Sequence, residues 1–168
     1  MTLLAIDVGN TQTVVGTFEG EELTAHWRMA TSPERTADEH AMLIKQFLVD
    51  VGGSEIVSGV CVCSVVPRVT SAMRHMSAQY FGQDAVIVGS DLNVPIKNML
   101  DNPREIGADL IANAVASHAM FDGATITVDF GTATTIDAVT ADGEFLGGVI
   151  MPGIGISLDA LFERAAGL

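Results

Sequence analysis

Two short stretches of this 168-residue chain carry Asp, Gly and hydroxyl residues in the same order. One is Asp7-Val8-Gly9-Asn10-Thr11-Gln12-Thr13-Val14, the other Asp129-Phe130-Gly131-Thr132, and each follows an apolar run. Glycine lets the backbone approach a phosphate closely, and successive N–H groups in a turn form an anion-binding nest. Asn10, Thr11, Thr13 and Thr132 add neutral donors. An Asp at each strand end can hold a hydrated cation that offsets phosphate charge. One such stretch alone is ordinary turn chemistry, whereas two in register argue for a nucleotide site. A third candidate is Asp109, two residues after Gly107 at the start of an apolar helical pattern. A carboxylate there is either a helix cap or a general base projecting from a fixed element. A fourth is the glycine-rich run Gly147, Gly148, Gly153 and Gly155. It reads equally as close packing or as a wall on which a ligand lies against backbone. There is no G-x-x-x-x-G-K-[ST], and "PGIGIS" fails G-x-G-x-x-G because position 158 is Leu.

Composition limits what those residues can bind. Eight Lys+Arg against 21 Asp+Glu give a net charge of −13, which argues against a nucleic-acid or anionic-membrane partner. Any anionic ligand must rely on backbone N–H groups, a helix N-terminus or a metal cation. Leu3–Ile6 is too short, and lacks the basic flank, for a signal peptide or a membrane span. Cys61 and Cys63 read as small buried filler on a strand in a reduced, cytoplasmic setting.

The elements that must position these residues follow from the pattern. "LLAI", "TVVGTF" and "ELTAHWRMA" read as three strands, the last two joined by the tight turn "EGEE". A helix is expected over "SPERTADEHAMLIKQFLVDVGG", with Ser32 as cap, Pro33 in its first turn and Gly52 closing it. "GVCVCSVVP" is a buried strand, "RVTSAMRHMSAQYFG" a helix and "AVIVG" a strand. An irregular stretch, 90–107, precedes the helix "ADLIANAVASHAMF". "ATITVDFG" begins strands again, and "SLDALFERAAGL" is a last helix. Three hairpin-connected strands followed by alternating helix and strand predict a mixed sheet covered by helices.

The chain also repeats itself. "IDVGNTQTVVGTFEGEEL" lies over "VDFGTATTIDAVTADGEF" at a constant offset of 122, with Asp7 on Asp129, Gly9 on Gly131 and Thr13 on Thr135. The expectation is a duplicated domain, 1–120 and 121–168, with the second copy incomplete.

"DVGNT", "NPREIGAD", "VDFGTATT" and "GGVIMPGI", in this order across essentially the whole chain, resemble type III pantothenate kinases. That family belongs to the sugar kinase, Hsp70 and actin superfamily. The resemblance implies an α/β fold with ribonuclease-H-like (actin-like ATPase) mixed sheets and flanking helices. It implies ATP-dependent phosphorylation of pantothenate, the first step of coenzyme A synthesis, by a cytoplasmic homodimer. By the same resemblance, residues Asp7 to Val14 form the first phosphate loop, with Asp7 supporting Mg²⁺. Thr132 contacts ATP from the second loop, and Asp129 binds a monovalent cation, K⁺ or NH₄⁺. Leu100, Gly107, Ala108, Asp109 and Leu110 line the pantothenate site, and Asp109 accepts the proton of the substrate hydroxyl. Two features depart from the family. Its Gly-x-Asp-Arg is Gly107-Ala108-Asp109-Leu110 here, a loss of one charge-assisted contact that costs about 1.5–3 kcal/mol. Leu100 also stands where a Tyr is often found. The competing reading is a non-catalytic or weakly active relative that binds a ligand or partner.

Overall fold

The computed structural model describes residues 1–89, 92–103 and 106–165. Contacts divide the chain into two compact units, Met1–Leu92 and Asn93–Leu168. The expected boundary at 120 differs from this division because the helix before it packs on the strands that follow.

In the first unit β1 (Thr2–Val8), β2 (Gln12–Glu19) and β3 (Glu22–Ala30) form an antiparallel meander. Gly20, at φ 63°, makes the two-residue turn before Glu22. β4 (Val57–Ser64) lies parallel to β1 on its other side and β5 (Val86–Ile87) parallel to β4, giving the order β3-β2-β1-β4-β5. Alternation decides the faces. Leu4, Ile6 and Val8 of β1 are buried with Val60 and Val62 of β4 under α1 (Ala37–Leu48) and α2 (Pro67–Phe81). Ala41, Ile44 and Leu48 of α1 and Val69, Met73 and Met76 of α2 complete that core. Cys61 and Cys63 alternate to the opposite face, half-buried and in no disulfide, so they are less enclosed than core filler.

The start of α1 corrects the expected cap. Ser32 and Pro33 lie in a preceding turn closed by the Arg35 N–H on the Ser32 carbonyl at 3.1 Å. The helix begins after Thr36, whose hydroxyl accepts from the Glu39 N–H while Glu39 Oε2 accepts from the Thr36 N–H. That reciprocal box satisfies two donors at once, and Ser32, followed three residues later by Arg35, has no carboxylate to complete one. At the other end a short 3-10 turn, Val49–Val51, stops at Gly52, with φ 113°.

The second unit contains β6 (Lys97–Asn98), α3 (Ala108–Met120), β7 (Thr125–Phe130), β8 (Ala133–Val139), β9 (Glu144–Pro152) and α4 (Ile154–Arg164). The sheet order is β6-β9-β8-β7, with β6 parallel to β9. β6 falls in the stretch expected to be irregular. It is two residues long and is fastened by a Lys97–Glu144 ion pair at 2.8 Å. α4 starts at Ile154 with Gly153 as its N-cap, earlier than its sequence suggested. Arg104 and Glu105 of "NPREIGAD", and residues 166–168 of the segment expected to form the last helix, lie outside the described residues.

β7, β8 and β9 repeat β1, β2 and β3, and the bounds of β3 and β9 differ by 122 at both ends. The repeat is not gapless, however. Val8 pairs with Thr13, whereas Phe130, the counterpart of Val8, pairs with Thr134. The structural counterpart of Thr13 is therefore Thr134, and both are buried. The second hairpin loop is one residue shorter. Gly9 N–H reaches the Gln12 carbonyl, while Gly131 N–H reaches that of Ala133. A longer turn before β9 restores the register.

Candidate active site

The first loop lies in the first unit. Asp7 is exposed near the end of β1, between Val14 of β2 and Cys63 of β4. Val8 is the last residue of β1 and is buried. Gly9 N–H donates to the Gln12 carbonyl at 3.0 Å, which closes the turn and leaves Asn10, Thr11 and Gln12 exposed at its tip. Thr31 braces the loop from β3's end. Its hydroxyl donates to the Gly9 carbonyl at 2.8 Å and lies 2.9 Å from the Thr13 hydroxyl, and its N–H donates to the Thr11 carbonyl. Thr13 is thus a buried brace and not a ligand donor at the surface. Thr31 gave no sign in the sequence, since it lies 18 residues further along.

The other candidates lie in the second unit, on and under α3. Gly107 is the N-cap of α3 in extended backbone, and no side chain caps the helix. Asp109 stands in the first turn, where the helix dipole favours a carboxylate, and its Oδ1 accepts from the Leu110 N–H at 2.9 Å. Asp109 thus satisfies one orphan N–H of the helix start while its carboxylate stays half-buried. Ala108 and Leu110 are half-buried beside it. Leu100 sits on β9's side of the unit, its Cδ2 3.1 Å from where a Cβ on Gly147 would fall.

One face of α3 carries Asp109, Asn113 and Ser117, spaced by four. Asn113 Nδ2 donates to Asp129 Oδ2 at 3.3 Å, and the Thr125 hydroxyl lies 3.3 Å from that of Ser117. α3 therefore covers the polar face of β7, formed by Thr125, Thr127 and Asp129. Thr135 and Asp137 of β8 share this face, opposite Asp129 and Thr127 respectively. Asp137 is 4% exposed, and its Oδ2 is buried without a partner, as is Thr135 Oγ1. Burial raises the Asp137 pKa from its ordinary value. The nearby Thr135 hydroxyl opposes that shift without reaching hydrogen-bond geometry, and the negative charges of Asp109 and Asp129 add to it.

The glycine run packs backbone against backbone. A Cβ on Gly148 would collide with the Asp137 carboxylate and the Ile136 carbonyl. One on Gly153 would collide with the carbonyls of Gly131 and Thr132. Gly153 N–H donates to the Thr132 carbonyl at 3.1 Å, so the run fixes the second Asp-x-Gly loop in place. Sequence reasoning passed over Asn113 and Asp137. The i, i+4 relation to Asp109 marks the first, and strand alternation from Thr135 marks the second. Among the described residues no three His, Cys, Asp or Glu side chains form a metal cage, and no helix is long and apolar enough to cross a membrane.

The five-strand order with a meander, two parallel strands and an echoed second meander defines a ribonuclease-H-like, actin-like ATPase fold. Solved structures agree. The ethanolamine utilization protein EutJ from Carboxydothermus hydrogenoformans matches with a TM-score of 0.54 at 16% identity, over 97% of this chain and 57% of that one. The activator of the 2-hydroxyisocaproyl-CoA dehydratase from Clostridium difficile, with bound ADPNP, matches with 0.56 at 12%, over 90% and 46%. Residues 3–168 match the family model of type III pantothenate kinase, and the chain belongs to that family. It is 46% identical to the type III pantothenate kinase of Moorella thermoacetica over 168 residues, and 50% identical to that of Frankia casuarinae over 169. In each case 99% of this chain is covered, against 66% and 65% of the relative, so the chain spans just under two thirds of their length.

Proposed function

We propose that the protein of this chain phosphorylates pantothenate at its hydroxyl with ATP, in the cytoplasm, as the first step of coenzyme A synthesis. The observation that carries this reading is the family match along residues 3–168, with Asp109 held at the start of α3. The reaction joins the substrate hydroxyl oxygen to the γ-phosphorus and breaks the bond to the β-phosphate oxygen. The hydroxyl proton goes to Asp109, whose carboxylate is fixed by the helix start and the Leu110 N–H. Gly107, Ala108, Leu110 and Leu100 shape the pantothenate side. On the ATP side, Val8, Gly9, Asn10, Thr11, Gln12 and Thr132 offer backbone and side-chain donors, with Thr13 and Val14 holding the loop from β2.

Two cations belong to this reading. Asp7, exposed beside the loop, suits a Mg²⁺ that keeps most of its waters and takes one carboxylate. Asp129 is the residue this reading assigns to a monovalent cation, with Asn113 Nδ2 on its Oδ2 and the oxygens of Thr135 and Asp137 on the same face without partners. Such cations supply charge neutralisation at the phosphates. A homodimer accompanies the family reading.

The test is formation of 4′-phosphopantothenate from ATP, Mg²⁺, K⁺ and pantothenate. It should be run on this chain and on the chain extended by the C-terminal third of the Moorella relative. Asp109→Asn should lower kcat about 10²- to 10⁴-fold, the range a general base contributes. Turnover untouched by Asp109→Asn would remove the proton-acceptor role, and no product from the extended chain would remove the kinase reading.

A further inference from the structure

The carbonyl groups of the first loop show how it is held. Gly9 N–H closes the turn on the Gln12 carbonyl at 3.0 Å, and Val65 N–H, in the turn between β4 and α2, donates to the Val8 carbonyl at 3.1 Å. Thr31 takes two of the carbonyls between them. Its hydroxyl donates to that of Gly9 at 2.8 Å and its N–H to that of Thr11 at 3.0 Å. A threonine hydroxyl carries one proton, and that of Thr31 goes to Gly9. In the 2.9 Å contact with Thr13 the donor is therefore the buried Thr13 hydroxyl. One line of bonds thus runs from β2 through Thr31 to the loop backbone.

In a trans peptide the C=O and N–H point opposite ways. Holding the Gly9 carbonyl toward Thr31 therefore turns the Asn10 N–H away from it. A loop that accepts phosphate must offer N–H groups, and a flipped peptide would present a carbonyl and repel the anion. With eight Lys+Arg in the chain, few cationic side chains can make up for a misdirected amide. The second unit meets the same need differently. Thr31 and Gly153 each directly follow the third strand of their meander, 122 residues apart, and Gly153 N–H donates to the Thr132 carbonyl as Thr31 N–H does to that of Thr11. A Cβ on Gly153 would collide with the Gly131 and Thr132 carbonyls. The shorter loop lies directly against its brace, whereas the longer first loop leaves a gap that the Thr31 hydroxyl spans.

We propose that Thr31 is a positioning residue for the nucleotide: its hydroxyl fixes the Gly9–Asn10 peptide with the N–H turned toward the ATP phosphates, without touching them itself. This rests on the reading of residues 7–14 as the phosphate loop and extends it to the end of β3.

The test is Thr31→Val in the extended chain, which keeps the backbone N–H and the side-chain shape and removes the hydroxyl alone. KM for ATP should rise about five- to tenfold, the worth of one neutral hydrogen bond, while KM for pantothenate stays unchanged. Thr31→Ser keeps the hydroxyl and should restore the wild-type value. Thr24→Val is the structural control. It removes a like pair in the same sheet, where Thr24 Oγ1 lies 2.9 Å from that of Thr17 and donates to the Thr17 carbonyl. It should lower the urea midpoint and leave KM for ATP alone. Thr31→Ala gives the same comparison if Thr31→Val does not fold. An ATP KM unmoved by loss of the hydroxyl, or raised equally in Thr31→Ser or Thr24→Val, would overturn the proposal. A wild type that forms no product sinks the kinase reading instead, and titration with a fluorescent ATP analogue then decides. Weaker binding by Thr31→Val than by the wild type sustains the brace, and equal or absent binding removes it too.

Discussion

His40 shows how much a single side chain in the first unit is constrained. It lies on α1 at 0% exposure, and neither ring nitrogen has a partner. Burial, with help from the Arg35 charge and against that of Glu39, pushes its pKa down to about 4. The folded state thus holds the neutral ring, while the unfolded chain takes up a proton near the ordinary value of 6.5. Stability from this group is complete above that value. It falls as pH drops from 6.5 toward 4, because only the unfolded state binds the proton. Between pH 7 and pH 4.5 the loss should be about 2 kcal/mol. Urea unfolding at the two values should show it, and His40→Leu should flatten the difference. An equal pH dependence in the variant would assign the loss to other groups. None of this was visible in the sequence, where His40 interrupts an otherwise ordinary amphipathic pattern. Burial of both nitrogens arises only once α1 is packed in the folded unit.

At the scale of elements, the hairpin loops depend on short local signals, and helix starts do too. Thr36→Ala should cost about 1 kcal/mol, as loss of a capping hydroxyl does. Ser32→Ala, at the position first expected to cap, should cost much less. Urea midpoints of the two variants compare them directly, and a larger loss from Ser32→Ala would reverse the assignment of the helix start. The Thr36-x-x-Glu39 signature was present in the sequence, but Ser32-Pro33 offered a competing start that only the three-residue carboxylate spacing resolves. The strands other than the two-residue β6, and the α3 start, were legible because alternation and the Gly107–Asp109 pattern are local. The register of β8 was not. A one-residue change in loop length is hidden when matching hydroxyls, Thr134 and Thr135, stand side by side. The contacts of Asn113 and Asp137 were likewise hidden, because they arise when α3 folds over β7 and β8.

At the scale of the whole molecule, the repeat exposes an asymmetry between the two units. Leu4, Ile6 and Val8 of β1 are 0%, 2% and 0% exposed, whereas their counterparts Ile126, Val128 and Phe130 of β7 are 73%, 45% and 69% exposed. In the first unit two helices cover that face. In the second, α3 covers the opposite, polar face and α4 has no buried residue. Ile150, Ile154 and Phe162 add to the exposed apolar surface, well beyond scattered single residues. The 168-residue chain should therefore bind an apolar dye such as anilinonaphthalene sulfonate while natively folded. Replacing Ile126 and Phe130 by Thr should reduce that fluorescence. The same change should leave the urea midpoint nearly where it was, because side chains already in water contribute little burial free energy. Leu4→Ala, its counterpart on the covered face, should by contrast cost about 2–5 kcal/mol. If Phe130→Thr proved as costly as Leu4→Ala and the dye bound neither form, the two faces would be equally covered. The repeat would then extend to the packing as well as to the strands.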